Sequence, residues 1–375
     1  MNKTKKPRVI QVVKAIGPTS SPWTNFYPTL RPSFPGLMLP PLQVNLTGLN
    51  ASFKWQQCRS QQRKYLSLGI LNGVWLLRRL SLRGSRPLVV HVHTPVLAIV
   101  PILALMMGAK FKVVNTQHNT WPEFRPHQKL ALWCLSWVTR AYIGCAEQAT
   151  ASLPENMRNR LAKAGKLHAI PNGIPAEQLA EFAERKQQYM QLREGSEQAQ
   201  TIVIAKMSPQ KNGLYLLQLI SQLPELGHVT WYGTGKMCDE LHAERDRLGL
   251  QDRVTFAGVA PREQVYNALV LSDFYLTVSL WEGLSVADLE AVAIGCLPLM
   301  SDIPERKVIA ERVGFDLLPL QDLASWRRTI GTYLSLSREE RSTLIHRVSQ
   351  ATIAAFSLDS MVKKYVEIYS SVSVG

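Results

Sequence analysis

Two glutamates, Glu282 and Glu290, are separated by seven residues in a stretch that follows a predicted strand. Gly283 allows a ligand to approach the backbone closely, and a helix pattern begins near Leu284 or Ser285. The amides of Gly283, Leu284 and Ser285 would point out of this helix N-terminus, and such termini bind anions. Carboxylates accept hydrogen bonds from neighbouring hydroxyl groups. The pattern therefore favours a site for a ligand with an anion and hydroxyl groups over a capping glutamate and a solvated one.

Two lysines follow the first predicted strand of the second half of the chain. Lys206 and Lys211 lie within IVIAKMSPQKNG, and a helix pattern opens at Gly213. Two cations at a strand end suit the negative charge of a diphosphate. If that diphosphate leaves in a reaction, the cations also neutralise the charge that develops on it, and one such contact can lower the activation barrier by ~3 kcal/mol. Either lysine alone would suggest a surface residue near a turn, whereas the pair at this position favours an anion site.

Short β-rich runs alternate with helix patterns along the whole chain, which indicates parallel sheets joined by right-handed crossovers. Five strands are predicted in each half: Val9–Val13, Leu88–Val92, Lys112–Thr116, Ala141–Gly144 and His168–Ile170, then Thr201–Ala205, Val229–Tyr232, Val254–Phe256, Phe274–Thr277 and Leu297–Met300. The polar segment Ala176–Gln200 separates the two sets, so we predict one domain over residues 1–176 and a second over 177–358. Ligands bind at the carboxyl ends of such strands, and we expect the site in a cleft between the domains.

Charge is distributed unequally between the two halves. Residues 1–176 hold 23 Lys and Arg and three acidic residues, whereas residues 177–375 hold 20 Lys and Arg and 25 acidic residues. A half this basic predicts an anionic partner, either nucleic acid or a membrane surface rich in acidic lipid. No recognised nucleic-acid-binding module accompanies the charge, so the membrane is favoured. Five scattered cysteines without a CxxC pair argue against a disulfide framework or a zinc site.

Two basic, aromatic stretches of the first half, Arg59–Arg83 and about His127–Arg140, are predicted to be helical over much of their length. Such helices can lie in a membrane interface, where each cation contributes roughly 1 kcal/mol. We predict that their apolar faces pack against the sheet and that their excess charge faces the membrane.

The uncharged run Pro87–Ala109 contains three prolines and fits a strand, a loop and a buried helix better than a membrane-spanning helix. Lys14 interrupts the N-terminal apolar run, so a signal peptide is not expected.

The stretch EGLSVADLEAVAIG, from Glu282 to Gly295, closely resembles the E-x7-E signature of the retaining glycosyltransferases of family 4. The following SDIP, Ser301–Pro304, is similar to a common continuation of that signature. This family has the GT-B fold, so the resemblance implies an α/β protein with two Rossmann-like, doubly wound domains that face each other across a cleft. It also implies that Glu282 contacts the transferred sugar and that Glu290 holds the ribose of the nucleotide.

The remainder of the donor site is implied by further matches to the same family. Lys206 and Lys211 correspond to the basic pair that contacts the diphosphate, although Ala205-Lys206 stands where the family has Gly-Arg. The stretch FAGVAP resembles the segment that meets the nucleotide base, which assigns Gly258 and Val259 to that contact.

In the first half, VVNTQHN resembles the T-x-H element of the family, so His118 is expected to bond to the transferred sugar rather than to act as a general base. His91 and His93 are predicted to be structural. Gly17 is the one glycine present where the family carries a Gly-Gly pair beside the donor phosphate and the acceptor. The C-terminal residues 359–375 resemble the closing helix of the family and are expected to pack back on the first domain.

The resemblance implies a retaining glycosyltransferase that moves a sugar from a nucleoside diphosphate, with UDP favoured over GDP. The expected acceptor is a hydroxyl of a lipid-linked glycan in cell-surface polysaccharide or lipopolysaccharide synthesis. The expected partners are the nucleotide-sugar donor, this acceptor and an anionic membrane surface that the basic N-terminal domain contacts, without nucleic acid. No cofactor is expected, and because the sequence lacks a D-x-D motif no metal is expected either.

The protein is therefore expected to be cytoplasmic and peripheral on the inner face of the cytoplasmic membrane. Two alternatives stay open on the sequence. The same fold could act on a soluble acceptor or on water, in which case acidic lipid would not be needed. The chain could also be a non-catalytic GT-B-like binding protein, which the departures at Gly17 and Lys206 would support.

Overall fold

The computed structural model describes residues 7–13, 42–45, 54–58, 63–83, 86–192 and 198–374. The chain divides into two compact units. The first unit comprises Met1–Gly173 together with Leu358–Gly375, and the second comprises Ile174–Ser357. Each unit contains one β-sheet with helices beside it.

The sheet of the first unit has eight strands among the described residues, in the order β3-β4-β2-β1-β5-β6-β7-β8. Neighbouring strands are parallel except β3 and β4, which are antiparallel. The strands are β1 (Arg8–Val13), β2 (Leu42–Asn45), β3 (Lys54–Cys58), β4 (Arg63–Gly69), β5 (Leu88–Val92), β6 (Lys112–Gln117), β7 (Thr139–Gly144) and β8 (Leu167–Ala169).

The predicted helix over Arg59–Arg83 is wrong in its first part. Arg63–Gly69 is β4, which pairs with β2 on one side and β3 on the other, and helix α1 covers Ile70–Leu82. Pairing on both sides satisfies the backbone groups of this segment, and this tertiary effect overrides the local helix pattern. The second predicted helix is also shorter than expected, since α3 covers Pro126–Val138 and Arg140 belongs to β7.

Helices cover both faces of the first sheet. Because successive strand residues point to opposite faces, Val90 of β5 packs on one side and Val89 on the other. The side of Val90 carries α1, α2 (Ile99–Met106) and α3, and the side of Val89 carries the C-terminal helix α14 (Leu358–Val374). The helices of this unit are α1, α2 (Ile99–Met106), α3, α4 (Glu147–Ala151), α5 (Glu155–Lys163) and α14 (Leu358–Val374).

The second unit contains a parallel sheet of five strands in the order β11-β10-β9-β12-β13. These strands are β9 (Gln200–Ile204), β10 (His228–Tyr232), β11 (Val254–Gly258), β12 (Phe274–Thr277) and β13 (Leu297–Met300). The helices are α6 (Ala176–Leu192), α7 (Gly213–Gln222), α8 (Cys238–Arg247), α9 (Arg262–Leu271), α10 (Val286–Ile294), α11 (Pro304–Val313), α12 (Leu323–Ser335) and α13 (Arg338–Ala355). Buried Trp231 and Trp326 belong to its main apolar core.

The predicted α/β class is confirmed, with two largely parallel sheets and flanking helices. All ten predicted strands are present, and their ends differ from the prediction by at most two residues. Within the described residues, no helix combines the length and the apolar character that crossing a bilayer requires.

Candidate functional site

The order of the strands indicates where a ligand would bind on the second unit. From β9 the chain moves outward through β10 to β11, then returns to the other side of β9 to form β12 and β13. The order in which strands are added to the sheet therefore reverses between β9 and β12, although these two strands are parallel. Ligands of open α/β sheets bind at the carboxyl ends of the strands at such a switch point. The loops after β9 and β12 carry Lys211 and Glu282.

Lys211 and Glu282 form an ion pair, and both side chains are largely shielded from solvent. Two further bonds join the loops on which they lie. The Gln210 carbonyl accepts from the Leu280 amide at 2.9 Å, and the Gln210 side chain donates to the Trp281 carbonyl at 2.8 Å. The structure therefore brings together one cation and one carboxylate that the sequence predicts to act on the donor.

A buried arginine, Arg306 of α11, stands behind this pair. Its Nη2 lies 3.9 Å from Glu282 Oε1, and its Nε donates to Asp288 Oδ2 at 2.8 Å. The remaining guanidinium hydrogens reach Ser301 Oγ at 2.6 Å and Thr277 Oγ1 at 2.8 Å. One side chain thus connects the ends of β12 and β13 to the first turn of α10, and it places a second cation near Glu282.

Helix α10 begins at Val286, slightly later than the sequence suggests, and Ser285 is its N-cap. The Ser285 hydroxyl accepts from the Asp288 amide and donates to Asp288 Oδ1, so one of the free N-terminal amides is already satisfied. Of the predicted anion-binding residues, Gly283 and Leu284 precede this cap, and Leu284 is buried.

Asp288 is held ionised in this site. Burial raises the pKa of its carboxyl group, but the charges of Arg306 and Lys211 and the hydrogen bonds from Arg306 and Ser285 lower it by more, so the net pKa is lowered. Tyr275 donates its hydroxyl to the same carboxylate at 2.8 Å. Burial, followed by the Asp288 charge, raises the pKa of Tyr275 well above its ordinary value, which keeps this hydroxyl a donor.

Glu290, the second glutamate of the pattern, lies in α10 and is buried. Its carboxylate forms an ion pair with Arg262, the first residue of α9. Arg262 also donates to the hydroxyl of Tyr266. The carboxylate predicted to hold a ribose therefore has a cationic neighbour that the sequence did not suggest.

The other predicted donor residues of the second unit lie at the same carboxyl edge. Lys206 follows β9 and is exposed, and Gly258 ends β11 with Val259 exposed beside it. The Gly258 carbonyl accepts from the Gly233 amide at 2.8 Å. Gly233 has φ of 139°, and a Cβ there would lie 2.0 Å from the Ala205 carbonyl oxygen, so the loops after β9 and β10 can approach this closely only with glycine.

In the first unit, His118 follows β6, and the centre of its ring lies 5.8 Å from that of His93, with the two rings tilted by 33°. Burial lowers the pKa of His118 to about 3, so its imidazole is neutral near pH 7. A neutral imidazole has one nitrogen that donates and one that accepts a hydrogen bond. Gly17 lies outside the described residues.

His91 and His93 belong to a buried polar network that links three strands to α14. His91 bonds to the Tyr369 hydroxyl at 2.6 Å and to Thr116 Oγ1 at 2.8 Å. Gln11 of β1 donates to the same Tyr369 hydroxyl at 3.0 Å and contacts the ring of His93. These bonds agree with the predicted structural role of both histidines, and burial lowers the pKa of each.

Sequence reasoning missed Arg306, Asp288 and Arg262. One signal for Asp288 was present, since Ser285-x-x-Asp288 is a helix-capping spacing. No local pattern points to Arg306 or Arg262, because the carboxylates that they pair with lie 18 or more positions away in the chain. Among the described residues, no three His, Cys, Asp or Glu side chains cluster as a metal ion would need.

Comparisons with known proteins place this geometry in context. The model of Glycosyltransferase Family 4 matches residues 59–178, and the model of Glycosyl transferases group 1 matches residues 184–314. EpsF of Bacillus subtilis (strain 168), which is itself named only provisionally as a glycosyltransferase, is 26% identical over 301 residues, covering 76% of each chain.

Two further relatives have names that specify donor and acceptor. The UDP-Gal:alpha-D-GlcNAc-diphosphoundecaprenol alpha-1,3-galactosyltransferase of Escherichia coli is 24% identical over 253 residues, 64% of each chain. The GDP-mannose:cellobiosyl-diphosphopolyprenol alpha-mannosyltransferase of Xanthomonas oryzae pv. oryzae (strain PXO99A) is 25% identical over 121 residues, 32% of each chain.

A crystal structure of HepE from Anabaena, in complex with UDP and glucose, has a similar fold. It aligns with a TM-score of 0.75 at 14% identity and covers 97% of this chain and 100% of that one. The first match falls in the first unit except for its last five residues, the second falls in the second unit, and together they span most of residues 59–314. The chain therefore belongs to the glycosyltransferases of the family 4 type, which have the GT-B fold.

Proposed function

We propose that this glycosyltransferase moves a hexose, with retention of configuration, from a nucleoside-diphosphate sugar to a hydroxyl of a lipid-linked glycan. The observation that carries the proposal is the Lys211–Glu282 pair at the switch point of the second sheet, between β9 and β12, where the order of the strands reverses. A cation and a carboxylate at this edge match the two parts of such a donor, the diphosphate and the sugar hydroxyls.

In this proposal each group of the second unit acts on one part of the donor. Glu282 accepts hydrogen bonds from the transferred sugar, and Lys206 and Lys211 neutralise the diphosphate together with the N-terminus of α10. Glu290 binds the ribose, and the backbone at Gly258–Val259 contacts the base. For His118 we propose a hydrogen bond from its neutral ring to the transferred sugar.

The leaving diphosphate acts as the base in the proposed reaction. The bond between the anomeric carbon and the diphosphate oxygen breaks, and the acceptor oxygen bonds to the same face of that carbon. The acceptor proton passes to the leaving phosphate oxygen. Lysine cations near that oxygen stabilise the negative charge that develops on it in the transition state. Such fixed charges are usually the largest single contribution to lowering the activation barrier.

We favour UDP over GDP as the nucleotide. The Escherichia coli relative is named for UDP-galactose, and HepE was crystallised with UDP, whereas the relative from Xanthomonas is named for GDP-mannose. The last of these matches only 121 residues. Both named transferases act on a glycan joined to a polyprenol diphosphate, which supports a lipid-linked acceptor, a role in cell-surface polysaccharide or lipopolysaccharide synthesis, and a peripheral position on the inner face of the cytoplasmic membrane.

Ligand-dependent thermal stability tests the donor assignment directly. A ligand that binds only the folded protein raises stability by about 2.7 kcal/mol at a hundred times its dissociation constant. We expect UDP and a UDP-sugar to raise the melting temperature, and Glu290→Gln to remove most of that increase. Glu311→Gln, an exposed glutamate of α11, is the matched control. A larger increase with GDP than with UDP would reverse the nucleotide preference.

Two substitutions test the catalytic assignment. Glu282→Gln and Lys211→Ala should each abolish most sugar transfer, measured as release of nucleoside diphosphate in the presence of a lipid extract that contains the acceptor. Lys307→Ala removes an exposed lysine of α11 and should leave the rate unchanged. If either site variant transferred sugar at the parental rate, the donor site would be assigned wrongly.

A further inference from the structure

Large apolar side chains are exposed unevenly among the described residues. Ten of the fifteen that are exposed lie between residues 70 and 138 of the first unit, and the other five are scattered through the second. The ten are Leu71, Trp75, Leu82, Ile99, Met106, Met107, Leu130, Trp133, Trp137 and Val138. Scattered apolar residues are ordinary on a protein surface, whereas such a concentration marks a site of interaction.

These ten side chains belong to one layer of the unit. Helices α1, α2 and α3, with the residue that follows α2, carry all of them, and the three helices pack side by side on one face of the sheet. Each helix turns other residues to the core, such as Leu77 of α1 and Leu135 of α3. The predicted packing of the apolar faces on the sheet is therefore correct for these residues and fails for the tryptophans, which point outward. We call the outer side of these helices the three-helix surface.

The charge of the three-helix surface is almost entirely positive. Helices α1–α3 themselves contain Arg78, Arg79 and Lys129 and no acidic residue, and residues 70–138 as a whole contain eight Lys and Arg and a single acidic residue, Glu123. Arg78 and Arg79 of α1 are exposed, and Arg78 donates to the Met107 carbonyl at 2.9 Å, which holds a cation beside an exposed methionine. Cations and apolar side chains are thus interleaved on this surface and not segregated.

The tryptophans of the surface are themselves paired with cations or with each other. The Arg160 guanidinium lies 3.8 Å from the ring centre of Trp137, and that of Arg79 lies 5.0 Å from the ring of Trp75. The rings of Trp133 and Trp137 meet edge to face at 5.8 Å. Tryptophan beside arginine is typical of proteins at the level of lipid headgroups, where an amphipathic ring meets an anionic surface.

We infer that the three-helix surface docks on a bilayer that contains acidic lipid, with its tryptophans and methionines at the boundary between headgroups and acyl chains. Charge selects this occupant over a second copy of the chain, because a symmetric dimer would bring two strongly basic surfaces together. The inference rests on the proposed function for its purpose, since a lipid-linked acceptor is reached at such a bilayer. Its evidence, exposure and charge, is independent of the donor site.

Vesicle flotation tests the inference with the whole chain of 375 residues. The protein is mixed with vesicles of phosphatidylcholine alone or with 30% phosphatidylglycerol, a composition chosen on the order of a bacterial acidic-lipid content. We expect binding to the acidic vesicles only, with a shift of tryptophan emission to shorter wavelength. Trp75→Ser combined with Trp133→Ser should weaken this binding at least tenfold, and Arg79→Gln should weaken it about fivefold.

The matched control is Leu271→Ser with Leu334→Ser, which removes two exposed leucines from the second unit and should leave vesicle binding unchanged. Melting temperature is measured for every variant, so that unfolding is not mistaken for lost docking. Equal vesicle binding by the tryptophan variant and the parent would overturn the inference. So would dimerisation of the parent without lipid, seen by mass photometry and abolished in that variant. The UDP thermal shift is followed in parallel, because it reports on the proposed function separately from docking.

Discussion

Replacement of Arg306 by methionine is expected to destabilise the second unit strongly. The Arg306 guanidinium is 1% exposed and is bonded to Asp288 at 2.8 Å, Ser301 at 2.6 Å and Thr277 at 2.8 Å. Methionine can occupy much of the apolar volume, but it leaves Asp288 as a buried carboxylate without its main cation. Removing one partner of a buried pair costs about 3–5 kcal/mol, so we expect a loss of that size in the free energy of unfolding.

A double-mutant cycle isolates the ion pair from the packing. Asp288→Asn keeps the bonds to Ser285 and Tyr275 in similar geometry but removes the charge. The double variant should therefore be less destabilised than the sum of the single variants, by about 1–3 kcal/mol. Urea unfolding followed by circular dichroism measures this, with a separate transition fitted to each unit. A coupling energy below about 0.5 kcal/mol would refute the reasoning, because it would mean that Arg306 and Asp288 do not stabilise each other.

The same arginine should affect the reaction without contacting the donor. Its Nη2 lies 3.9 Å from Glu282 Oε1, and one ammonium group cannot replace a fork that reaches Asp288, Thr277 and Ser301 together. We expect Arg306→Lys to keep much of the stability yet lower kcat about tenfold or more, which corresponds to about 1.4 kcal/mol. Arg312→Lys, at an exposed position of the same helix, is the control. Parental kcat in the Arg306→Lys enzyme would show that Arg306 does not position Glu282.

Three further predictions concern the polar network and the loops. Burial lowers the pKa of His91 and His93, so below about pH 6.5 the unfolded chain binds protons that the folded unit does not. The free energy of unfolding should therefore fall by roughly 1.4 kcal/mol per pH unit for each histidine until the pH reaches the lowered pKa of the folded state. Melting temperatures that rise as the pH is lowered from 7.5 to 5.5 would contradict this. Tyr369→Phe removes the hydroxyl shared by two buried polar side chains and should cost about 1–3 kcal/mol in urea unfolding, whereas a neutral result would show that water replaces it. Gly233→Ala should lower the melting temperature sharply because its Cβ would meet backbone at 2.0 Å, while Gly331→Ala, with open space around it, should be tolerated; equal effects of the two would argue against the close loop approach.

The sheets were largely predictable from the sequence because the buried strands of a parallel sheet are short apolar runs between helix patterns. Leu88–Val92, Phe274–Thr277 and Leu297–Met300 have the same bounds in the sequence prediction and in the structure. Strand β4 was not predictable in this way. Its sequence RKYLSLG is basic and runs directly into a helix, and only its two neighbouring strands determine that it is extended.

Local sequence spacing and tertiary contacts contribute differently to the candidate site. The sequence predicts that Lys211 and Glu282 act together because each follows a strand, and parallel strands bring such positions to one edge. The roles of Arg306 and Arg262 could not be predicted, because a charged residue on a helix usually faces solvent. Only the packed structure shows that Arg306 is buried and that Arg262 pairs with Glu290. The helix start was misplaced slightly because Ser285 acts as its cap.

The two sheets carry different kinds of polar group at the position where the order of the strands reverses: a charged pair in the second unit and neutral side chains in the first. In the second unit this place, between β9 and β12, holds the charged pair of Lys211 and Glu282. In the first unit the reversal lies between β1 and β5, where Gln11 contacts His93 and burial keeps the imidazole neutral. A neutral, hydrogen-bonding interior suits an alcohol, whereas a diphosphate requires cations. No Lys, Arg, Asp or Glu of the first unit is buried among the residues whose burial the structure describes, so the excess positive charge of this unit lies at its surface and not within the polar centre of its sheet.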